Sequence, residues 1–183
     1  VRSINVIVLV CAVSAIGACG ASAPSAPTPV TVPLFKLTSA AAVDGGTLPA
    51  EYTCDGEGVS APLAWQNAPA GTREFALLMT TLPGDGTTKW NWVLYAIPAT
   101  VTALPRNSTA IGTFGVGSDG PQAAYQPPCS QGPGAKIYTF TVYALSSAPQ
   151  LPAGRIDGAT LARAIAPLTI GSATISVSYT RPR

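Results

Sequence analysis

The sequence predicts an all-β dominated fold, an antiparallel β-sandwich with one or two short peripheral helices. Three observations predict it. The 18 glycines and 18 prolines among 183 residues supply many tight turns, while only 10% of residues are charged. Several short segments carry the alternation or the aromatic and β-branched content of strands, with turn residues between them. Helical periodicity is convincing at a single place.

The elements follow in chain order. Residues 74–79 are a continuous apolar run, which suits a strand covered on both faces. Residues 90–97 are rich in aromatic and β-branched side chains and read as another central strand, stopped by Pro98. Along 136–145, Tyr138, Phe140, Val142 and Ala144 fall on one face and Ile137, Thr139, Thr141 and Tyr143 on the other. The helix begins after Asp157, a good N-cap, carries Leu161 and Ile165 four apart on one face, and stops at Pro167. Residues 172–180 alternate cleanly, Ala173, Ile175, Val177 and Tyr179 facing inward and Ser or Thr facing outward, as in a half-exposed antiparallel strand. The glycine-rich stretch 112–117 lacks both the dinucleotide-binding pattern and a βαβ setting, and reads as a mobile loop. No internal repeat is visible.

Composition narrows the function. With 47% hydrophobic residues the chain can bury the core of one domain, placed at 34–183. A net charge of +2 without a basic stripe argues against nucleic acid as a partner. The chain has no histidine, which removes the usual general base near neutral pH and the commonest nitrogen ligand for zinc, and excludes a Ser-His-Asp triad. Ser130 has neither a nucleophile elbow nor a base. Asp55 and Glu57 are too few, and wrongly spaced, for an EF-hand calcium loop, so a structural turn is the better reading. No catalytic residue, metal or cofactor is expected.

Residues 1–18 have the layout of a secretory signal, one positive charge followed by about a dozen mostly apolar residues. That run is short for a membrane span. It ends in Ile16-Gly-Ala-Cys19, which resembles the bacterial lipobox, so Cys19 is the expected lipidation site and the lipid bilayer an expected partner through an N-terminal anchor. Ordinary signal cleavage, leaving a soluble periplasmic or secreted protein, is the alternative. Residues 19–33, rich in Pro, Ala and Ser, have little to bury and read as a tether. The expected location is the bacterial cell envelope, facing the periplasm.

Two distant cysteine-bearing stretches are the most informative part of the chain: Tyr52-Thr-Cys54-Asp-Gly-Glu57 with Pro62-Leu-Ala-Trp65, and Tyr125-Gln-Pro-Pro-Cys129 running through Gly134 into 136–145. Together with Trp92-Val-Leu-Tyr95-Ala-Ile-Pro98 between them, they resemble, in order and spacing over about 34–180, the bacterial Raf-kinase-inhibitor-like branch of the phosphatidylethanolamine-binding protein (PEBP) family. The resemblance implies a PEBP-like sandwich and a small anion-binding pocket assembled from these loops. It also sets Cys54 beside Cys129, and a disulfide closing roughly 75 residues would stabilise the fold by about 4 kcal/mol in the chain-entropy model. Two free buried thiols are the competing reading.

Two pocket positions depart from the family pattern. Leu82 stands where the family has its first Asp, with Asp85 three residues later, and Asn91 stands where it has His. Losing a titratable pair argues against acid–base chemistry, so the expectation is a non-catalytic module holding a small anionic or polar ligand such as a phosphate ester, headgroup or carboxylate. Its expected ligand-binding residues are Asp85, Asn91, Tyr125, Pro128, Gly134, Lys136 and Tyr138, with Gly132 and Gly134 admitting close backbone approach. The same residues also suit structural roles: Lys136 as a solvated strand end, the tyrosines as core rings with bonded hydroxyls, Asn91 as a loop tie. A protein-interaction or inhibitor module of the envelope, using the Cys129 loop and residues 111–121 against a protein partner, is the second functional reading. A hydrolase is the least favoured.

Overall fold

A computed structural model describes residues 33–129 and 134–182. The signal segment, Cys19 and most of the tether lie outside the described residues, as do Ser130 and Gly132. Among the described residues eight strands and one α-helix follow in chain order: β1 (Lys36–Thr38), β2 (Leu63–Gln66), β3 (Glu74–Thr81), β4 (Lys89–Pro98), β5 (Ala103–Leu104), β6 (Thr113–Phe114), β7 (Lys136–Leu145), α1 (Gly158–Ile165) and β8 (Thr169–Tyr179). Every strand pairing is antiparallel, in a five-stranded sheet ordered β6-β4-β3-β7-β8 and a three-stranded sheet ordered β1-β2-β5.

The periodicities explain the layers. Leu77 and Met79 of β3, Trp92 and Leu94 of β4, Phe140 and Val142 of β7, and Ile175 and Val177 of β8 join Leu37, Leu63 and Trp65 of the small sheet in one buried core. On the opposite face, Ala76, Leu78 and Val93 pack with Leu161 and Ile165 of α1. Strand β3 is thus covered on both sides, which is why its run reads as unbroken apolar sequence. Each large side chain buried there contributes roughly 1.5–3 kcal/mol. The alternating strands β7 and β8 present Tyr138, Phe140, Ala173, Ile175, Val177 and Tyr179 inward, as their patterns predict.

Helix α1 starts as its sequence indicates: the Asp157 side chain accepts a bond from the Thr160 N–H at 2.7 Å, and this holds its carboxyl below the usual Asp range. Gly158 follows because a Cβ there would lie 2.2 Å from the Trp90 ring. The helix ends at Ile165, and Pro167 falls in a 3-10 turn, Ala166–Leu168.

The glycine-rich stretch 112–117 is not the mobile loop that its composition suggests. Thr113 and Phe114 form β6 against Tyr95 and Leu94, and Val116 bridges Asp157. A Cβ at Gly115 would lie 2.5 Å from both the Ile156 carbonyl and Val93, and one at Gly117 would lie 2.2 Å from Gln126 Oε1. These glycines serve close packing of backbone on β4 rather than freedom.

Candidate functional site

The site grows from the start of β4. Met79 pairs with Trp92 and Thr80 with Trp90, so Asn91 is an extra residue without a partner on β3, a β-bulge. A bulge re-aims its side chain, and here the Asn91 Nδ2 donates to the Gln126 carbonyl at 3.1 Å while Gln126 N donates to the Asn91 carbonyl at 2.7 Å. One residue earlier, Trp90 N donates to Ser118 Oγ and Ser118 N donates back to the Trp90 carbonyl, each at 2.9 Å. The Gln126 Oε1 accepts from Asp119 N at 2.8 Å. Segment 118–126 is therefore laced to β4 at both ends.

The second motif closes over this base. Cys54 and Cys129 are disulfide-bonded with Cα atoms 5.2 Å apart, and Cys54 N donates to the Pro128 carbonyl at 3.0 Å. Asp55 fixes the other side of the turn, accepting from the Tyr179 hydroxyl at 2.6 Å and from Arg181 Nε at 2.9 Å. These bonds, that of Tyr179 foremost, hold the Asp55 carboxyl below its usual range. Glu57 pairs with Arg106, which also holds Glu51. The acidic loop is a pinned turn, as its sequence indicates, with both carboxylates facing cations.

Between these walls lies a cleft of about 410 Å³, bordered by the disulfide, Lys89, Asp119, Tyr125, Gln126 and Pro127. Lys89 Nζ stands 3.3 Å from Asp119 Oδ1, and both side chains are about half exposed. The Tyr125 ring packs edge-on against Trp92 with centroids 5.4 Å apart, and its hydroxyl donates to the Tyr52 carbonyl at 2.8 Å. Burial pushes the Tyr125 phenol far up, so it stays protonated. Tyr138 is buried, more fully than Tyr125, and its phenol is raised by burial and then by the nearby Asp119 carboxylate. Two atoms at this base, Asn91 Oδ1 and Trp92 Nε1, are buried with no hydrogen-bond partner among the described residues. Such orphans are uncommon in native proteins and call for an explanation.

Of the described residues expected to form one pocket, Tyr125 borders this cleft, while Asn91 and Pro128 do not line it but are bonded to its wall residues Gln126 and Cys54, and Tyr138 lies within the field of Asp119. Pro128 is buried and contributes its carbonyl to the Cys54 turn. Lys136 borders a different groove, on the β3–β7 side, with Leu82, Thr88 and Ile137. Asp85 is an exposed turn residue whose carboxylate accepts from Thr87 N at 3.0 Å and from its hydroxyl at 2.8 Å, which lowers its pKa. Gly134 is exposed with φ 86°. Sequence reasoning missed Lys89 and Asp119, which lie outside the cysteine motifs and meet across 30 positions. Gln126 lay inside a quoted motif, but nothing in the sequence singled it out, and its tie to Asn91 across 35 positions belongs to the tertiary structure.

The sequence pattern of the family described as "Phosphatidylethanolamine-binding protein" matches residues 38–180. The chain belongs to the phosphatidylethanolamine-binding protein family. A UPF0098 protein of Methanothermobacter thermautotrophicus is 32% identical over 123 residues, 64% of this chain and 81% of the relative. The Mycobacterium tuberculosis protein named "Putative lipoprotein LppC" is 32% identical over 148 residues, 80% of this chain and 72% of that protein. Among solved structures, E. coli YbcL, described as a new member of the mammalian PEBP family, superposes with a TM-score of 0.73 at 26% identity, covering 81% of this chain and 99% of its own. The two-sheet architecture is thus that of the PEBP fold. Within it, this member carries a bulged, half-bonded Asn91 where the family resemblance places a histidine.

Proposed function

We propose that this PEBP-family chain is a non-catalytic binding module that holds a small polar ligand with an anionic group, a phosphate ester, headgroup or carboxylate, in the cleft beside the Cys54–Cys129 disulfide. The observation that carries this reading is Lys89 opposite Asp119 in a cleft framed by the disulfide. A ligand anion takes the lysine, and a ligand donor takes the aspartate, in a hollow that needs little rearrangement. Tyr125, whose raised phenol stays protonated, borders the cleft, and Asn91, bonded to the wall residue Gln126, stands where the family resemblance places a titratable histidine, which supports binding over catalysis. The lipobox-like end of the leader, and the name of the LppC relative, support attachment to an envelope membrane through Cys19.

Isothermal titration of the full chain with inorganic phosphate, acetate and O-phosphoethanolamine tests the binding claim. Saturable heat with at least one, weakened about tenfold in Lys89→Ala, is the expected result. Absence of saturable heat with all three refutes it, and turnover of an ester panel that is lost in Asn91→Ala refutes the non-catalytic part. Incorporation of labelled palmitate in the native host, lost in Cys19→Ser, tests the anchor.

A further inference from the structure

Tyr125 and Ala124 also border a second hollow, of about 270 Å³, whose remaining walls include Val59, Ser60, Ser108, Phe114 and Ala123. Two chain segments frame it and are stapled to each other. Asn107 N donates to the Ser60 carbonyl at 3.0 Å, and Ser108 N donates to Ser60 Oγ at 3.0 Å. Phe114 is held in β6, and Tyr125 is fixed by Trp92 and by its bond to Tyr52. The hollow is therefore preformed rather than a gap between loose loops.

Its chemistry differs from that of the first cleft. Among the described residues no charged side chain lines it, and Arg106, which precedes Asn107, is engaged by Glu51 and Glu57. The Ser108 hydroxyl is buried without a hydrogen-bond partner among the described residues. Ser60 is equally buried, and its hydroxyl accepts from Ser108 N while donating to nothing among the described residues. Among the described residues these two O–H donors lack an acceptor, beside Val59, Phe114 and Tyr125, and the Ser108 oxygen, with under 1 Å² accessible, meets a ligand only by a turn of its side chain toward the hollow. A buried hydroxyl in that state is exceptional and needs a partner to account for it.

We propose that this hollow is a second binding site, for a small uncharged molecule that carries a hydrogen-bond acceptor, a carbonyl or hydroxyl oxygen, on a compact apolar body. A charged ligand would lose its hydration there without meeting a counter-charge. The volume sits at the lower end of the range for small-molecule pockets, which limits the ligand to roughly ten non-hydrogen atoms. The inference stands on its own lining residues and does not depend on what the first cleft binds.

Benzamide and benzoate share one body and differ in charge, so a heteronuclear NMR titration of the labelled full chain with each decides the matter, with inorganic phosphate as a separate reporter of the first cleft. Expected are saturable benzamide shifts at the amides of Ser60, Ser108, Phe114 and Ala123, and a benzoate affinity at least tenfold lower. Ser108→Ala weakens benzamide fivefold or more, and Ala123→Trp, at an exposed position, abolishes the response while leaving the phosphate shifts of the wild type unchanged. Non-saturating shifts, an equal response to benzoate, or a benzamide response that survives Ala123→Trp overturn the proposal. So does a long-lived water at Ser108 with no benzamide binding, since a water is the simplest molecule that satisfies the hydroxyls.

Discussion

Replacing both cysteines of the Cys54–Cys129 pair by serine removes a cross-link between residues 75 apart in sequence. In the chain-entropy treatment, closing a loop of that length in the unfolded chain costs it about 4–4.5 kcal/mol of conformational entropy at 25 °C. Local contacts do not substitute for this, because the effect acts on the unfolded state. The Cys54–Pro128 backbone bond and the bonds of Asp55 to Tyr179 and Arg181 remain in the variant and keep the turn native-like. With an m-value of about 2 kcal/mol/M for a domain of this size, the urea midpoint falls by about 2 M. Fluorescence of Trp65 and Trp92, both buried, reports the transition. Unfolding the wild type in excess dithiothreitol gives a second, mutation-free measurement of the same quantity. A midpoint change below about 0.5 M in both experiments, with the oxidised bond confirmed by mass in the untreated protein, refutes the entropic reasoning.

Three further outcomes follow from single contacts. Gly158→Ala lowers stability by about 1–3 kcal/mol, because its Cβ would stand 2.2 Å from the Trp90 ring, although alanine's helix propensity alone predicts a gain of about 1 kcal/mol; the direction of the shift in thermal midpoint decides which effect wins. Asp157→Ala removes the cap on Thr160 N and costs about 1 kcal/mol in chemical denaturation, with the strands' spectroscopic signature unchanged. The Asp55 carboxyl is depressed below the ordinary 3.8 by the Tyr179 bond first and then by Arg181, so its contribution is present above that value and is lost as pH falls through the lower folded-state value. Urea midpoints measured from pH 7 down to about pH 2 should therefore fall more steeply for the wild type than for Asp55→Asn, and parallel curves would contradict the assignment.

Four strands and the helix were readable in the sequence because each buries a face long enough to show a period. Strand β7 covers Lys136–Leu145 as its alternation marks it, and β3, with both faces covered, shows the run expected of such a strand. The shorter strands β1, β2, β5 and β6 span two to four residues, too few for any period to register, and pairing partners elsewhere in the chain define them. The same limit explains 112–117, since glycine is equally suited to a free loop and to backbone pressed against a neighbour, and only the neighbour distinguishes the two.

The sequence by itself determined four of the five strands of the larger sheet, where the helix begins, and that the chain offers no histidine. Those properties depend on residue type and local spacing, which the linear order carries in full. The tertiary structure alone decided that Asn91 sits on a bulge bonded to Gln126, that Lys89 faces Asp119, that Lys136 and Asp85 stand apart from that cleft, and that Tyr125 borders two hollows of different lining. Bulges and ion pairs between distant residues arise from the register of strands and the lacing of loops, and neither leaves a local trace in the chain.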